Sequence, residues 1–303
     1  MSAASPAFDA WTAGVQARTE ARLDAWLPAA QAPPALGRLH EAMRYAVLGG
    51  GKRMRPLLVH AAGELVGAPV AALDDAGCAV EFVHAYSLVH DDLPCMDDDV
   101  LRRGKPTVHV VYGEALAMLA GDALQALAFR AVAGVAERGV AADAVVRMSA
   151  ELAEAAGAVG MAGGQAIDLA AVGTRLDRVA LEDMHRRKTG AMLRASVRLG
   201  AGCGRPLAND ERGALDDYSA AIGLAFQVVD DILDASADSA TLGKTAGKDA
   251  ANDKPTYVSL LGLAAARDLA ADLRASARSA LAGFGTLGAR LAAIADQIVL
   301  RRS

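Results

Sequence analysis

Two runs of aspartate carry the most pointed chemistry in this chain. The first, DDLPCMDDD, places Asp91, Asp92, Asp97, Asp98 and Asp99 within nine residues. The second, DDILD, places Asp230, Asp231 and Asp234 within five. On a helix, residues 230, 231 and 234 fall at about 0°, 100° and 40°, so their carboxylates share one face. Carboxylates so spaced repel one another. Each run also closes an apolar stretch that reads as helix, where the macrodipole adds negative potential. Something positive is therefore expected beside them. Clustered hard oxygens favour Mg2+ or Ca2+ over zinc, and neither run has the alternating loop and terminal glutamate of an EF-hand. Magnesium held by few carboxylates keeps water and takes its remaining ligands from substrate phosphates. Two arms offer cations for such phosphates. GGGKRMRP sets Lys52, Arg53 and Arg55 behind Gly49–Gly51, and LRRGKPT sets Arg102, Arg103 and Lys105 just after the first acidic run. Glycines let backbone approach a polyanion, and arginine grips phosphate with two donors. No Walker A sequence is present, so a P-loop ATPase is excluded.

The elements that must position these groups are helices. Alanine supplies 71 of the 303 residues, while Phe, Trp and Tyr together supply 12; alanine favours helix and disfavours strand. Residues 107–205 and 207–254 contain no proline, which suits long helices. The head, to about Pro34, reads as an amphipathic helix ending in a Pro-rich loop. Further helices are predicted near Leu36–Leu48, Pro56–Leu65, Leu73–His90, Glu114–Ala136 and Ala142–Ala156. Others follow near Leu181–Leu199, Glu211–Asp234, Ala264–Ala282 and Thr286–Leu300. Two are unusual. Leu73–His90 is apolar almost all round, with Glu81 its only charge after Asp75, and Ser219–Val229 has the same character. A helix without a polar face lies inside a bundle. Both run straight into the aspartates, so the expected architecture is an all-α bundle, one domain over residues 1–303, whose two central helices end at one mouth.

Composition narrows the rest. A net charge of −5 argues against a nucleic-acid binder, and 53% apolar residues exclude wholesale disorder. Cys78, Cys95 and Cys203 are too few and too scattered for a disulfide framework, which fits a reducing compartment. The N-terminus has no signal-peptide pattern. The longest uncharged stretches have 13 residues, short of a membrane span. A soluble cytoplasmic protein is expected.

Taken together, GGGKRMRP (49–56), AYSLVHDDLPCMDDDVLRRGKPT (85–107), KTG (188–190), GLAFQVVDDILD (223–234), LGK (242–244) and DKPTY (253–257) resemble the trans-polyprenyl diphosphate synthase family, and within it the bacterial farnesyl diphosphate synthases. The motifs keep the family's order and spacing over roughly residues 36–263. A class I terpene cyclase also carries one DDxxD but needs neither cationic arm nor a second acidic run. The resemblance implies an isoprenoid-synthase bundle, a homodimer, and three Mg2+ between the acidic runs. By motif matching, Asp91 and Asp97 would bind two ions with Asp92 adjacent, and Asp230 the third with Asp231 and Asp234 in support. Arg102, Lys188 and Lys244 would hold the allylic diphosphate; Lys52, Arg55, His84 and Arg103 would hold isopentenyl diphosphate. Thr189 and Gln227 would face the developing carbocation. The implied reaction is prenyl transfer to farnesyl diphosphate, with geranyl or geranylgeranyl synthesis as the alternative. A silent regulatory subunit would show degraded aspartates, and here both runs are intact. His90, His109 and His185 read as structural.

One departure concerns Lys254-Pro255-Thr256-Tyr257-Val258, where the family reads K-[ST]-T-Y-P. Proline removes an N–H and restricts its predecessor, so the loop at Lys254 is expected to close differently. Product length is expected to rest on Tyr86, five residues before Asp91, where bacterial farnesyl synthases carry an aromatic; Ser87 is too small to block a growing chain.

Overall fold

The computed structural model describes residues 6–29, 33–174, 176–236 and 255–301. Within them the chain is helical apart from one short hairpin, as the alanine content requires. Helix α1 (Pro6–Trp26) buries Phe8, Thr12, Val15, Thr19 and Leu23, a stripe at three- and four-residue spacing that makes it the expected amphipathic head. Helix α2 (Pro34–Val47) starts on a proline, which is pre-set for the first helical turn.

Helices α3 (Met54–Leu65) and α4 (Val70–Asp91) form the interior. In α4, Ala72, Leu73, Ala76, Cys78, Ala79, Val80, Phe82, Val83, Tyr86 and Val89 are all buried. They point to every side, as a helix without a polar face must. Fully burying each Val, Leu or Phe contributes about 1.5–3 kcal/mol, so α4 is held by its whole surface. Its first turns are pinned by Asp75, which is fully buried and accepts from Arg22 (2.5 Å), Trp26 (2.6 Å) and Arg138 (2.9 Å). That network ties the N-terminal helix to the far end of the bundle, away from the aspartates.

A hairpin pairs Leu101–Arg102 (β1) with Lys105–Pro106 (β2). Its turn residues Arg103 and Gly104 both have positive φ, as tight hairpin turns demand. After α5 (Val108–Tyr112) comes α6 (Glu114–Gly134), which lays Ala117, Ala120, Gly121, Leu124 and Ala128 into the core against α4. By length and composition alone, Glu114–Arg138 could cross a membrane, but nearly half of its apolar window is buried inside the protein. Here it serves as a core helix.

Helix α7 (Ala142–Ala156) follows, then α8 (Met161–Ala170), which the sequence reading did not anticipate. The helix expected at Leu181–Leu199 is divided into α9 (Arg178–His185), a π-helical segment (Arg186–Gly190) and α10 (Ala191–Gly202). Asp177 caps α9 by accepting from the Ala180 amide at 2.8 Å. Helix α11 (Asn209–Ser236) is the second central helix and ends in the second acidic run. Tyr257–Leu261 (α12), Leu263–Ala280 (α13) and Ala289–Leu300 (α14) complete the bundle, with α12 opened by a capping box between Thr256 and Ser259. The sequence expectation Thr286–Leu300 begins a little early, in a 3-10 segment at Ala282–Gly288.

Candidate active site

Helix α4 ends at Asp91, and the chain then folds back over its own terminus. The amides of Asp97, Asp98 and Asp99 donate to the carbonyls of Asp91 (2.8 Å), Leu93 (3.2 Å) and Asp92 (3.2 Å). This satisfies carbonyls that a helix end leaves orphaned and stacks the DDD run above Asp91. Asp91 is half-buried; desolvation, reinforced by Asp97 and Asp92, pushes its carboxyl up to about 6, against Lys188 and Arg102. Asp92 is buried, and Arg102 clasps it with Nε (2.9 Å) and Nη2 (2.6 Å). Asp92, expected beside magnesium, and Arg102, expected on the allylic diphosphate, thus form one bidentate pair.

The two cationic arms touch. Gly49, Gly50 and Gly51 have φ of 133°, 80° and 140°, which L side chains avoid. A Cβ on Gly51 would stand 2.7 Å from Arg103 Nη1, and that nitrogen donates to the Gly50 carbonyl at 3.3 Å. A cavity of about 140 Å3 lies between the arms, bordered by the glycine loop, His84, Arg102, Arg103 and Lys105. Desolvation and the guanidiniums of Arg55, Arg103, Arg102 and Arg53 hold His84 neutral, well below the usual histidine range. Desolvation also lowers Lys52, with Arg301 and Arg103 adding and Asp230 opposing. Arg55 is lowered by desolvation and Arg103, against Glu81 and Asp230, and its Nε is buried with no hydrogen-bond partner. Among the described residues, the non-glycine positions with positive φ are Arg53 (46°), Asp98 (51°) and Arg103 (52°). All three belong to the arms or the acidic loop, so backbone strain is concentrated at the mouth.

Lys188 and Thr189 sit in the π-helical segment, an irregularity that recurs at functional sites. Lys188 Nζ donates to Asp168 Oδ2 at 2.5 Å, while Arg187 ties the segment to the Val159 carbonyl at 3.0 Å. Asp168, the acceptor for Lys188, escaped sequence reasoning, as did Gln165 three residues before it, whose amide atoms are buried without partners. A signal was present: Asp168 is the only charge between residues 155 and 174.

At the end of α11 the three aspartates divide. Asp231 is buried and accepts from Gln227 Nε2 (2.9 Å) and the Tyr257 amide (2.8 Å). It therefore faces α12 at the edge of the shared arc, and Gln227, expected at the carbocation, spends its amide N–H on Asp231. Asp230 accepts from Arg301 Nη2 at 2.7 Å, an unforeseen partner 71 residues away. Asp234 Oδ1 is buried with no hydrogen-bond partner. Lys244 and Lys254 lie outside the described residues. Tyr86 is buried in α4, its ring edge-on to His90 at 5.8 Å. His185 is buried and stacks on Tyr257 at 5.6 Å, a structural placement as expected.

Both acidic runs thus meet cations brought from elsewhere: Lys188 acts on Asp91, and Lys52, Arg55 and Arg301 on Asp230. The donor set suits magnesium. It is all carboxylate, it holds an orphaned acceptor on Asp234, and a guanidinium stands on Asp230 where positive charge is wanted. Among the described residues no three His, Cys, Asp or Glu side chains converge to cage a metal.

The polyprenyl synthetase family pattern matches residues 37–280. A probable farnesyl diphosphate synthase of Sinorhizobium fredii is 57% identical over 84% of this chain and 76% of its own. The farnesyl diphosphate synthase of Escherichia coli is 50% identical over 86% of this chain and 88% of its own. A solved geranyltransferase from Helicobacter pylori, complexed with magnesium and isoprenyl diphosphate, superposes with a TM-score of 0.83. It is 30% identical and covers 99% of this chain and 98% of its own.

Proposed function

This chain belongs to the polyprenyl synthetase family, and we infer from that membership and from its mouth geometry that it is a magnesium-dependent trans-prenyltransferase. It condenses isopentenyl diphosphate with dimethylallyl or geranyl diphosphate to give farnesyl diphosphate. The observation that carries this reading is the meeting of two carboxylate runs with two cationic arms at the ends of two apolar helices.

In our reading Asp91 and Asp97, with Asp92 adjacent, hold two magnesium ions, and Asp230 holds a third with Asp231 and Asp234 in support. When bound, magnesium supplies positive charge against the growing charge of the departing diphosphate. Lys188, Arg102 and Lys244 bind that allylic diphosphate, and Asp168 sets the direction of the Lys188 ammonium. The allylic C–O bond breaks with its electron pair leaving on the diphosphate. Thr189, Gln227 and the Lys188 carbonyl turn dipoles towards the resulting cation, and the apolar walls exclude water from it. Lys52, Arg55, His84 and Arg103 hold isopentenyl diphosphate so that its double bond attacks the cation. A carbon–carbon bond forms, and a proton leaves to the departed diphosphate. Neutral His84 keeps hydrogen-bonding capacity without adding charge.

The buried Tyr86 supports a fifteen-carbon limit. We propose that two copies pair through α5 and α6, whose outer side exposes Val110, Val111, Met118 and Leu119, a patch of the kind that marks an interface. Three free cysteines support a cytoplasmic setting. The test is incorporation of labelled isopentenyl diphosphate into acid-labile product with each allylic primer. Incorporation should require added Mg2+ and stop with excess EDTA; full incorporation in EDTA would refute the assignment of the aspartates.

A further inference from the structure

We propose that Arg53, through a buried ion pair with Glu81 and a half-exposed one with Glu20, is the positioning residue that presets Lys52 and Arg55 for isopentenyl diphosphate. The inference rests on the reading above.

Arg53 stands between the two residues assigned to that substrate. It is the N-cap of α3 with φ of 46°, a conformation that disfavours any residue with a Cβ. Something must hold it there, and its side chain does. Arg53 turns inward, is buried, and donates to three different elements. Nε reaches Glu20 of α1 at 2.7 Å, Nη1 reaches Glu81 of α4 at 2.9 Å, and Nη2 reaches the Val47 carbonyl at the end of α2 at 2.7 Å. One planar fork thereby fixes the end of the glycine loop against three helices. A lysine cannot span them, because its ammonium is a single point donor.

Glu81 gives the clamp its electrostatic meaning. It is buried, and it lies three residues before His84 on α4. Its charge also acts on Arg55 and Arg103, both assigned to the diphosphate. While Arg53 neutralises Glu81, those two guanidiniums stay available. Without Arg53, Glu81 becomes a buried carboxylate lacking its partner, and such groups recruit the nearest cation. The Glu81 charge already acts on Arg55 and Arg103, so they would turn from substrate to Glu81.

The experiment is steady-state kinetics of the full chain with each substrate varied in turn, alongside a melting curve. Arg53→Gln should raise KM for isopentenyl diphosphate by about 100-fold, the scale of an ångström-sized misplacement, with KM for geranyl diphosphate within threefold of wild type. Arg53→Gln combined with Glu81→Gln should recover most of that loss, because no buried charge is left to divert Arg55. If Arg53→Gln does not fold, Glu20→Gln serves. It removes one half-exposed tie and should raise the isopentenyl diphosphate KM several-fold while the other KM stays put. Equal rises in both KM values, or a lowered melting temperature with wild-type kinetics, would overturn the proposal. A wild-type chain that incorporates no isopentenyl diphosphate would instead sink the reading on which it rests.

Discussion

Gly164→Ala is a one-methyl change that reaches the proposed allylic site without removing a polar group. Gly164 lies in α8 with its α-carbon turned towards the π-helical segment. A methyl there would stand 2.2 Å from the Lys188 nitrogen and 2.6 Å from its Cα. These are backbone atoms, so no side chain can swing aside, and ordinary contact requires a separation of about 1 Å more. Either α8 or the Lys188–Thr189 backbone must move by that amount. The overpacking should cost about 1–3 kcal/mol of stability. Moving the Lys188 ammonium and carbonyl by about 1 Å should cost about 100-fold in turnover. The assay is kcat and KM for geranyl diphosphate at saturating isopentenyl diphosphate, beside a thermal melt. Gly213→Ala is the control: nothing lies within 4 Å of its added methyl, so it should keep full activity and gain up to about 1 kcal/mol from helix propensity. A Gly164→Ala enzyme with wild-type turnover would show that the π-helical segment does not position the reacting groups.

Other outcomes follow from the same geometry. Tyr86→Ala should open the cavity and shift products to twenty carbons or more with turnover largely kept; an unchanged chromatographic profile would place the floor elsewhere. Arg55→Ala should chiefly raise KM for isopentenyl diphosphate and Lys188→Ala chiefly impair use of the allylic substrate, by about 10- to 100-fold each. Equal effects on both substrates would contradict the division. His185 has its pKa lowered from 6.5 to about 4, first by desolvation, with Lys188 adding and Asp168 opposing. The unfolded chain therefore binds more protons between those values. Stability should be intact above pH 6.5 and fall as pH drops towards 4, by up to about 3 kcal/mol. Denaturant titrations of His185→Gln should show a flatter decline over that window, and an unchanged slope would remove His185 as the cause.

The sequence disclosed what depends on local pattern. Helix α4 was legible because it lacks a polar face and runs into the aspartates, and the end of α11 for the same reason. The two cationic arms were legible by composition. What escaped was set by tertiary contact. Helix α8 hides behind two adjacent glycines and an uncharged stretch, so neither propensity nor periodicity marks it. The Lys188–Asp168 and Arg301–Asp230 pairs join residues 20 and 71 positions apart, and no local rule couples them. Spacing put Asp231 on the shared carboxylate face, yet the Tyr257 amide and Gln227 draw it inward. The hairpin went unread because its left-handed turn position is filled by Arg103, where asparagine or aspartate is the usual signal.

In the proposed reaction this mouth ionises an allylic diphosphate and joins it to isopentenyl diphosphate, with Tyr86 ending growth at fifteen carbons. The most direct measurement is to incubate the purified chain with Mg2+, excess isopentenyl diphosphate and dimethylallyl diphosphate, remove the phosphates enzymatically, and size the alcohols by chromatography. Farnesol as the main product is the predicted result; geranylgeraniol as the main product, or no alcohol longer than the primer, would contradict it.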